Sequence, residues 1–441
     1  MRNIPLSQIA QSLEIAWNKP LPVAGYQIDS RNIRQNELFF ALKGEQTDGH
    51  RFLGEVSRRG ALGAVVEKSY TGPNFGLYLF PVQNVQAALQ ELAREDLSAS
   101  GAKVIGITGS VGKTTTKDFL AELLMAKYRV GCTPGNYNTK LTLPLSILNR
   151  EGGEEIFVLE MGMSEPGDIA ALLQIAQPEV ALVTKVALAH AAHFPGGLEE
   201  IAKAKAEIFS SPKLKTAIYF QELSQYSSFR NAPGEKVVFS LKDRGADYFL
   251  SSQGSHFVLD ERGVRAYQFD LPFQATHLLH NFLAAAGAAR LLKLEWDQIN
   301  ARLPFLKPPK MRFEKIEKEG IVFINDAYNA NPESMKAAFC SLPQPEKGGK
   351  RIAVLGTMSP LGSFSKNAHE EIGELALEYF DIALVFGEEA KPLFESFSIK
   401  KPAEFFMDLK KLKARLTNLM SPGDVVLVKG SRNMQMDALF L

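Results

Sequence analysis

A lysine and a threonine at the mouth of a glycine-containing turn carry the first chemical signal in this chain. Residues 104–124 read VIGITGSVGKTTTKDFLAELL. A β-branched strand ends at Thr108, the turn follows, and Lys113 and Thr114 open an amphipathic helix, which is the setting a phosphate-binding loop requires. Backbone N–H groups around Gly109, Ser110, Val111 and Gly112 can surround a phosphate, because glycine admits the needed backbone angles and a close approach. The helix N-terminus adds partial positive charge, Lys113 adds a full one, and the Thr114 hydroxyl can ligate Mg²⁺, while Thr115 continues the phosphate-binding segment. The strict motif has glycine at the position of Ile107; here Gly106 and Gly109 lie on either side of it.

Further chemistry-bearing residues follow strand-like runs. EIFVLEMG (155–162) ends in Glu160, an acid that a parallel sheet would set beside the phosphate loop as a magnesium ligand; a strand-capping surface glutamate is the alternative. His190 follows another apolar strand, in VTKVALAHAAHF (183–194), as a structural histidine or as a ligand. Lys203 and Lys205, two apart in EEIAKAKAEIF (199–209), point in different directions on a helix. Lys203 reads as part of a solvated basic face, and periodicity alone does not distinguish Lys205. AYNANP (327–332), with Tyr328, Asn329 and Asn331, reads as a turn opening a helix whose N-terminus offers N–H donors. Lys429 ends the strand-like VVLVK (425–429), Ser431 and Arg432 follow it, and loops at strand C-termini in open α/β sheets line ligand crevices.

Positioning these groups calls for an α/β architecture in three parts. Residues 1–98 hold short strand-like runs such as ELFFAL (37–42) and LGAVVE (62–67), then the helical pattern VQAALQELARE (85–95). SASGAK (98–103) is small and polar and reads as a linker. Residues 99–310 then alternate strand, glycine-rich turn and helix, which predicts a parallel sheet with strands at 104–107, 156–160, 180–184 and 217–220. Pro304, Pro308 and Pro309 break any helix at the second boundary. Residues 311–441 carry IAVLG (352–356), IALVF (382–386) and VVLVKG (425–430) between helical stretches, a smaller doubly wound, Rossmann-like domain.

Composition bounds the rest. Of 441 residues 45% are apolar and 22% charged, which excludes wholesale disorder. Lys+Arg 50 against Asp+Glu 49 leaves no basic excess for binding nucleic acid through overall charge. Cys132 and Cys340 are too few for a disulfide framework and read as small core residues. The N-terminal residues show no signal-peptide pattern and no run is long enough to span a bilayer, so a cytoplasmic protein is expected. A monomer is the expected state, although nothing in the composition specifies it.

Taken together, TGSVGKTTTK (108–117), EMGMSEPGDIA (160–170), AH (189–190), AKAKAEIF (202–209), INDAYNANPESM (324–335) and VVLVKGSRNMQMD (425–437) resemble the Mur ligase family, in order and over essentially the whole chain. The chain departs from the family pattern at Thr139, Thr142, Ala192, Pro195, Gly196 and Thr357, and at 311, where it has Met and the family has glycine. The resemblance implies an ATP-dependent amide ligase of peptidoglycan precursor synthesis with Mg²⁺ as cofactor. DAYNANPESM and VKGSRNMQM favour the branch that adds D-alanyl-D-alanine to UDP-N-acetylmuramoyl-tripeptide. The alternatives are the branch that adds the third, diamino residue, and a phosphate-loop nucleotide switch that ligates nothing.

The resemblance also implies residue roles. Lys113, Glu160, His190 and Lys205 become catalytic, with Thr114 and Glu160 sharing one metal and His190 near a second. Lys205 is implied to be carbamylated. Asn281, in THLLHNFLAAAGAARLL (276–292), matches a position facing adenine, and Arg312 and Asp326 match positions approaching the ribose and phosphates. DSRNIRQNELFFALKGEQTDGHRF (29–52) resembles the domain that holds the UDP-sugar, through Asp29, Ser30 and Arg31, while Asn136 and Asn138 in GNYNTKLTLPL (135–145) are implied in substrate contact.

Overall fold

The computed structural model describes residues 4–17, 19–44, 47–188, 191–254, 256–358 and 360–440. Three main sheets follow one another along the chain. The first is four-stranded and parallel, with Gly25–Gln27, Glu37–Phe40, Gly63–Glu67 and Tyr78–Val82 in sequential order. The helix Val85–Ser100 is capped by the Asn84 side chain, which accepts from Ala87 N–H at 2.8 Å, and ends at Gly101 in the left-handed region. The linker expected at 98–103 is therefore largely the last turn of this helix. Small residues such as Ser98 and Ala99 are tolerated in a helix that Leu92 and Leu97 anchor to the core, and Lys103 already begins the next strand.

The central sheet has nine strands. From one edge these are Val264–Phe269, His256–Glu261, Tyr248–Gln253, Glu235–Ser240, Thr216–Phe220, Val180–Val183, Lys103–Thr108, Ile156–Glu160 and Val130–Cys132. Seven run parallel, and the first two form an antiparallel extension that the sequence patterns did not reveal. The phosphate-loop strand lies between Val180–Val183 and Ile156–Glu160, so the chain winds away from it in both directions. Such a switch point opens a crevice at the strand C-termini.

The last sheet has six strands, ordered Glu314–Lys318, Ile321–Asn325, Val425–Lys429, Arg351–Gly356, Ile382–Phe386 and Ala403–Phe406, with only the first antiparallel. Its switch point sends Asp326–Asn331 and Ser431–Arg432 to one end of the sheet.

The cores are divided unequally. One continuous apolar cluster joins the first and central sheets, from Tyr26 and Phe40 through Phe157 to Leu306. The Asn149 amide reinforces that junction, donating to Tyr26 O and accepting from Tyr26 N–H, each at 2.9 Å. The last sheet has its own clusters, one on each face, around Met335 and Phe339 and around Leu412 and Val426. The connection between the two bodies passes through the 3₁₀ turn Leu303–Phe305 and then Met311 and Phe313, which hold φ of 60° and 56°. Left-handed angles at non-glycine residues are strained, which accounts for a glycine being the expected residue at 311.

Neither cysteine is a core residue. Cys340 is exposed, on the last turn of Pro332–Cys340, and Cys132 is half-buried at the end of an edge strand. Both sit at element ends, where packing is incomplete. Among the described residues no helix is long and apolar enough to cross a membrane.

Candidate active site

The phosphate loop sits at the switch point of the central sheet. Gly109 has φ 149° and Gly112 φ 83°; a Cβ at Gly112 would lie 2.4 Å from Asn281 Oδ1, and one at Gly109 only 1.9 Å from Thr184 Oγ1. Both positions therefore exclude side chains on conformation and on space. Ser110 ties the loop to the neighbouring strand end, donating from N–H to Lys185 O at 2.7 Å and from its hydroxyl to Ala187 O at 2.8 Å. Ile107 is a buried strand residue, so the loop proper begins at Gly109.

Lys113 opens the helix Lys113–Leu124 and folds its ammonium back onto Gly109 O at 2.8 Å, where a phosphate would draw it away. Burial pushes its pKa down; Glu160 opposes that and Arg312 adds to it. Thr114 donates to Glu160 Oε2 at 2.7 Å, and Asn138 Nδ2 donates to Glu160 Oε1 at 2.7 Å. Parallel pairing sets Ile107 opposite Glu160, which is what places the acid beside the loop. Glu160 is 1% exposed, and among the described residues only neutral donors satisfy it. A buried carboxylate next to a hydroxyl, with oxygens as the available donors, fits a hard divalent cation such as Mg²⁺. Among the described residues no cluster of three His, Cys, Asp or Glu side chains forms a metal site, and His190 lies outside the described residues.

Lys203 and Lys205 part company on the helix Gly197–Ala206. Lys203 is exposed, while Lys205 is 3% exposed and has no hydrogen bond or ion pair among the described residues. Burial drives its pKa well below the usual lysine range, and Lys113 adds repulsion.

Across the crevice stands the end of the last sheet. Lys429, buried, donates to Asp326 Oδ2 at 2.5 Å and to Asn329 O at 3.1 Å. Asp326 Oδ1 accepts from Phe313 N–H at 3.0 Å, so this carboxylate ties Lys429 to the 311–313 turn. The Arg312 guanidinium stacks over the Tyr328 ring at 4.0 Å, and its charge reaches Lys113. Asn331 caps the helix Pro332–Cys340, accepting from Ser334 N–H at 2.9 Å, so it offers the cleft a helix N-terminus rather than a free amide. Ser431 is buried, with its N–H on Thr357 O at 3.0 Å, and Arg432 pairs with Asp437 at 3.0 Å.

These two faces enclose a cavity of about 910 Å³ that Ser110 to Thr115, Asn136, Asn138, Glu160, Asn281, Arg312, Asp326, Tyr328, Asn329, Asn331, Lys429 and Arg432 all line. Asp29, Ser30 and Arg31 stand apart from it. Asp29 caps the turn Ser30–Asn32 and pairs with Arg31 at 2.7 Å, and that hydrogen-bonded pairing holds its carboxyl below the usual range.

His277 and His280 were not singled out in the sequence, yet both line the same cavity. Burial pushes their pKa values to about 4 and about 3, so both are neutral at pH 7. His277 packs edge-on to Phe313 at 4.8 Å and His280 lies against Phe220 at 4.6 Å. Their spacing with Asn281, at i, i+3 and i+4, was the signal available.

Comparison with known proteins agrees with this arrangement. Residues 22–97 match the catalytic domain of the Mur ligase family, 107–289 the Mur ligase middle domain and 311–432 the Mur ligase glutamate ligase domain. A relative from Bacillus subtilis, a UDP-N-acetylmuramoyl-tripeptide–D-alanyl-D-alanine ligase, is 33% identical over 95% of this chain and 92% of its own length. The crystal structure of MurF from Acinetobacter baumannii superposes with a TM-score of 0.86 at 28% identity, covering 100% of this chain and 98% of that one. That of MurF ligase from Thermotoga maritima in complex with ADP gives 0.80 at 33% identity, covering 94% and 96%.

Proposed function

This chain belongs to the Mur ligase family, and we propose that within it the protein adds D-alanyl-D-alanine to UDP-N-acetylmuramoyl-tripeptide at the expense of ATP. The observation that carries this reading is the cavity itself. Its floor is a phosphate loop with a buried carboxylate, and its roof is a second sheet end bearing Arg312, Tyr328 and Lys429. A nucleotide switch has no need of a second substrate-sized space facing its phosphates.

The chemistry follows from that layout. The tripeptide carboxylate attacks the γ-phosphorus of ATP, ADP leaves, and an acyl phosphate forms. The amine of the dipeptide then attacks the acyl carbon, and the resulting tetrahedral adduct collapses with loss of phosphate and a proton. Lys113 and the loop amides stabilise charge on the transferring phosphoryl group. Mg²⁺ held by Thr114 and Glu160 would supply further charge neutralisation there. Arg312 and Lys429 add positive potential from the opposite wall.

We assign the remaining roles as membership of the family implies. Lys205 is carbamylated: its neutral Nζ attacks CO2, a proton leaves, and a carboxylate-bearing side chain results. The burial of Lys205 and the absence of an ion pair among the described residues support that reading. Asp29, Ser30 and Arg31 hold the UDP end of the acceptor, and Asn281 lies on the nucleotide side of the cavity. The three working units are 1–98, 99–310 and 311–441, in a cytoplasmic monomer.

The test is a phosphate-release assay over a panel of UDP-N-acetylmuramoyl-peptides and amines. Release is expected only with the tripeptide and D-alanyl-D-alanine together. Turnover with a diamino acid on a UDP-dipeptide, or ATP hydrolysis without an acceptor, would overturn the assignment.

A further inference from the structure

Lys117 lies one helical turn beyond Lys113, and its side chain is only 1% exposed. An ammonium has three protons to donate, and a buried one is stable only when they are all taken. Here they are: Thr133 O accepts at 2.5 Å, Gly135 O at 3.1 Å and Asp118 Oδ1 at 2.8 Å. Two of the three acceptors are main-chain carbonyls of the segment that leaves the edge strand Val130–Cys132.

That segment crosses the metal-binding carboxylate. Thr133 Oγ1 accepts from Glu160 N–H at 3.0 Å, Asn138 Nδ2 donates to Glu160 Oε1 at 2.7 Å, and Asn138 O accepts from Gly162 N–H at 2.9 Å. Glu160 is thus gripped at its backbone and at one carboxylate oxygen by a loop whose other side is pinned by Lys117. Its second oxygen is left toward Thr114.

We propose that Lys117 is a positioning residue for the metal site: by clamping Thr133 and Gly135 it fixes residues 133–138, and through Thr133 and Asn138 it sets the position and orientation of Glu160. Lys117 does not line the cavity. The inference rests on the reading of Thr114 and Glu160 as magnesium ligands.

The experiment measures ADP binding to the full chain by calorimetry across a Mg²⁺ titration. Outer groups that orient a ligand typically cost 10–100-fold in metal affinity when removed. Lys117→Met, checked by circular dichroism for a native fold, should raise the Mg²⁺ concentration for half-maximal enhancement of ADP binding by about tenfold or more. ADP affinity without Mg²⁺ should stay as in wild type, and amide exchange at 133–138 should quicken. A folded Lys117→Met with wild-type Mg²⁺ dependence overturns the proposal. If Lys117→Met does not fold, Thr133→Val decides, since it cuts the link to Glu160 N–H and leaves both carbonyls in place. A raised Mg²⁺ requirement supports the clamp and an unchanged one overturns it. Glu160→Gln separates the two readings: loss of Mg²⁺ dependence there, beside an unaffected Lys117→Met, removes the clamp and leaves the metal site standing.

Discussion

The ammonium of Lys185, just past the strand Val180–Val183, pairs with the carboxylate of Glu333 in the first turn of Pro332–Cys340. One partner belongs to the body that carries the phosphate loop and the other to the body that roofs it. Both are partly exposed, so the pair is worth at most about 1 kcal/mol. A contact of that size biases the spacing of two bodies without locking it, as domain closure around two substrates requires. Glu333→Gln is expected to leave thermal stability nearly unchanged and to increase the radius of gyration of the ligand-free protein. Wild type should compact when an ATP analogue and the UDP-tripeptide are both bound. Scattering curves that coincide for all these states would refute hinge motion at 303–313.

Lys113→Ala should lower ligation by about 100-fold or more, the scale seen when a preorganised donor to a transition-state oxyanion is removed. Its ammonium reaches only Gly109 O among the described residues, so folding should be little affected. Steady-state rates beside circular dichroism check both halves of this statement, and near-wild-type turnover would place the phosphate elsewhere.

Lys205→Ala should lose activity steeply, and acetate at high concentration should partly restore it by supplying the missing carboxylate. Lys203→Ala, on the exposed side of the same helix, should show neither loss nor rescue. Rescue at Lys203, or full activity in Lys205→Ala, would mean that the carbamate reading is misplaced.

His277 and His280 predict how stability varies with pH. Their folded pKa values, about 4 and about 3, lie below the ordinary 6.5, so the unfolded chain binds more protons between those limits. Stability therefore falls as pH drops from about 6.5 toward 4, by at most about 1.4 kcal/mol per pH unit for each histidine. Both line an open cleft, so solvent screening makes the real slope shallower. Denaturant titrations at pH 7, 6 and 5 should show the decline in wild type and a flatter profile in a His277→Asn/His280→Asn double variant. An equal slope in both would remove the histidines as its source.

The phosphate loop was legible in the sequence because its parts are contiguous: strand, glycines, lysine and hydroxyl within 104–124 create the site by local geometry alone. Glu160 was legible for a related reason, since a short apolar strand ending in an acid has one place to put it once the sheet is parallel. Most parallel strands were legible as buried β-branched runs. The antiparallel strands at 256–261 and 264–269 were not: the first is buried but ends in the charged pair Asp260 and Glu261, and the second is exposed at Val264, Arg265 and Gln268, so neither reads as an apolar run.

What only the tertiary structure decided is which side of each element faces something. Lys203 and Lys205 are chemically identical and two residues apart; the packing of their helix buries one and leaves the other in water. Asp326 and Lys429 are 103 residues apart and meet because two adjacent parallel strands end together. Lys117 was not singled out in the sequence; the turn at Thr133–Gly135 brings it two carbonyls in need of a donor. Residue type and spacing specify chemistry where the backbone itself makes the site; where the site is made between elements, the partner is supplied by packing, and packing is a property of the whole chain.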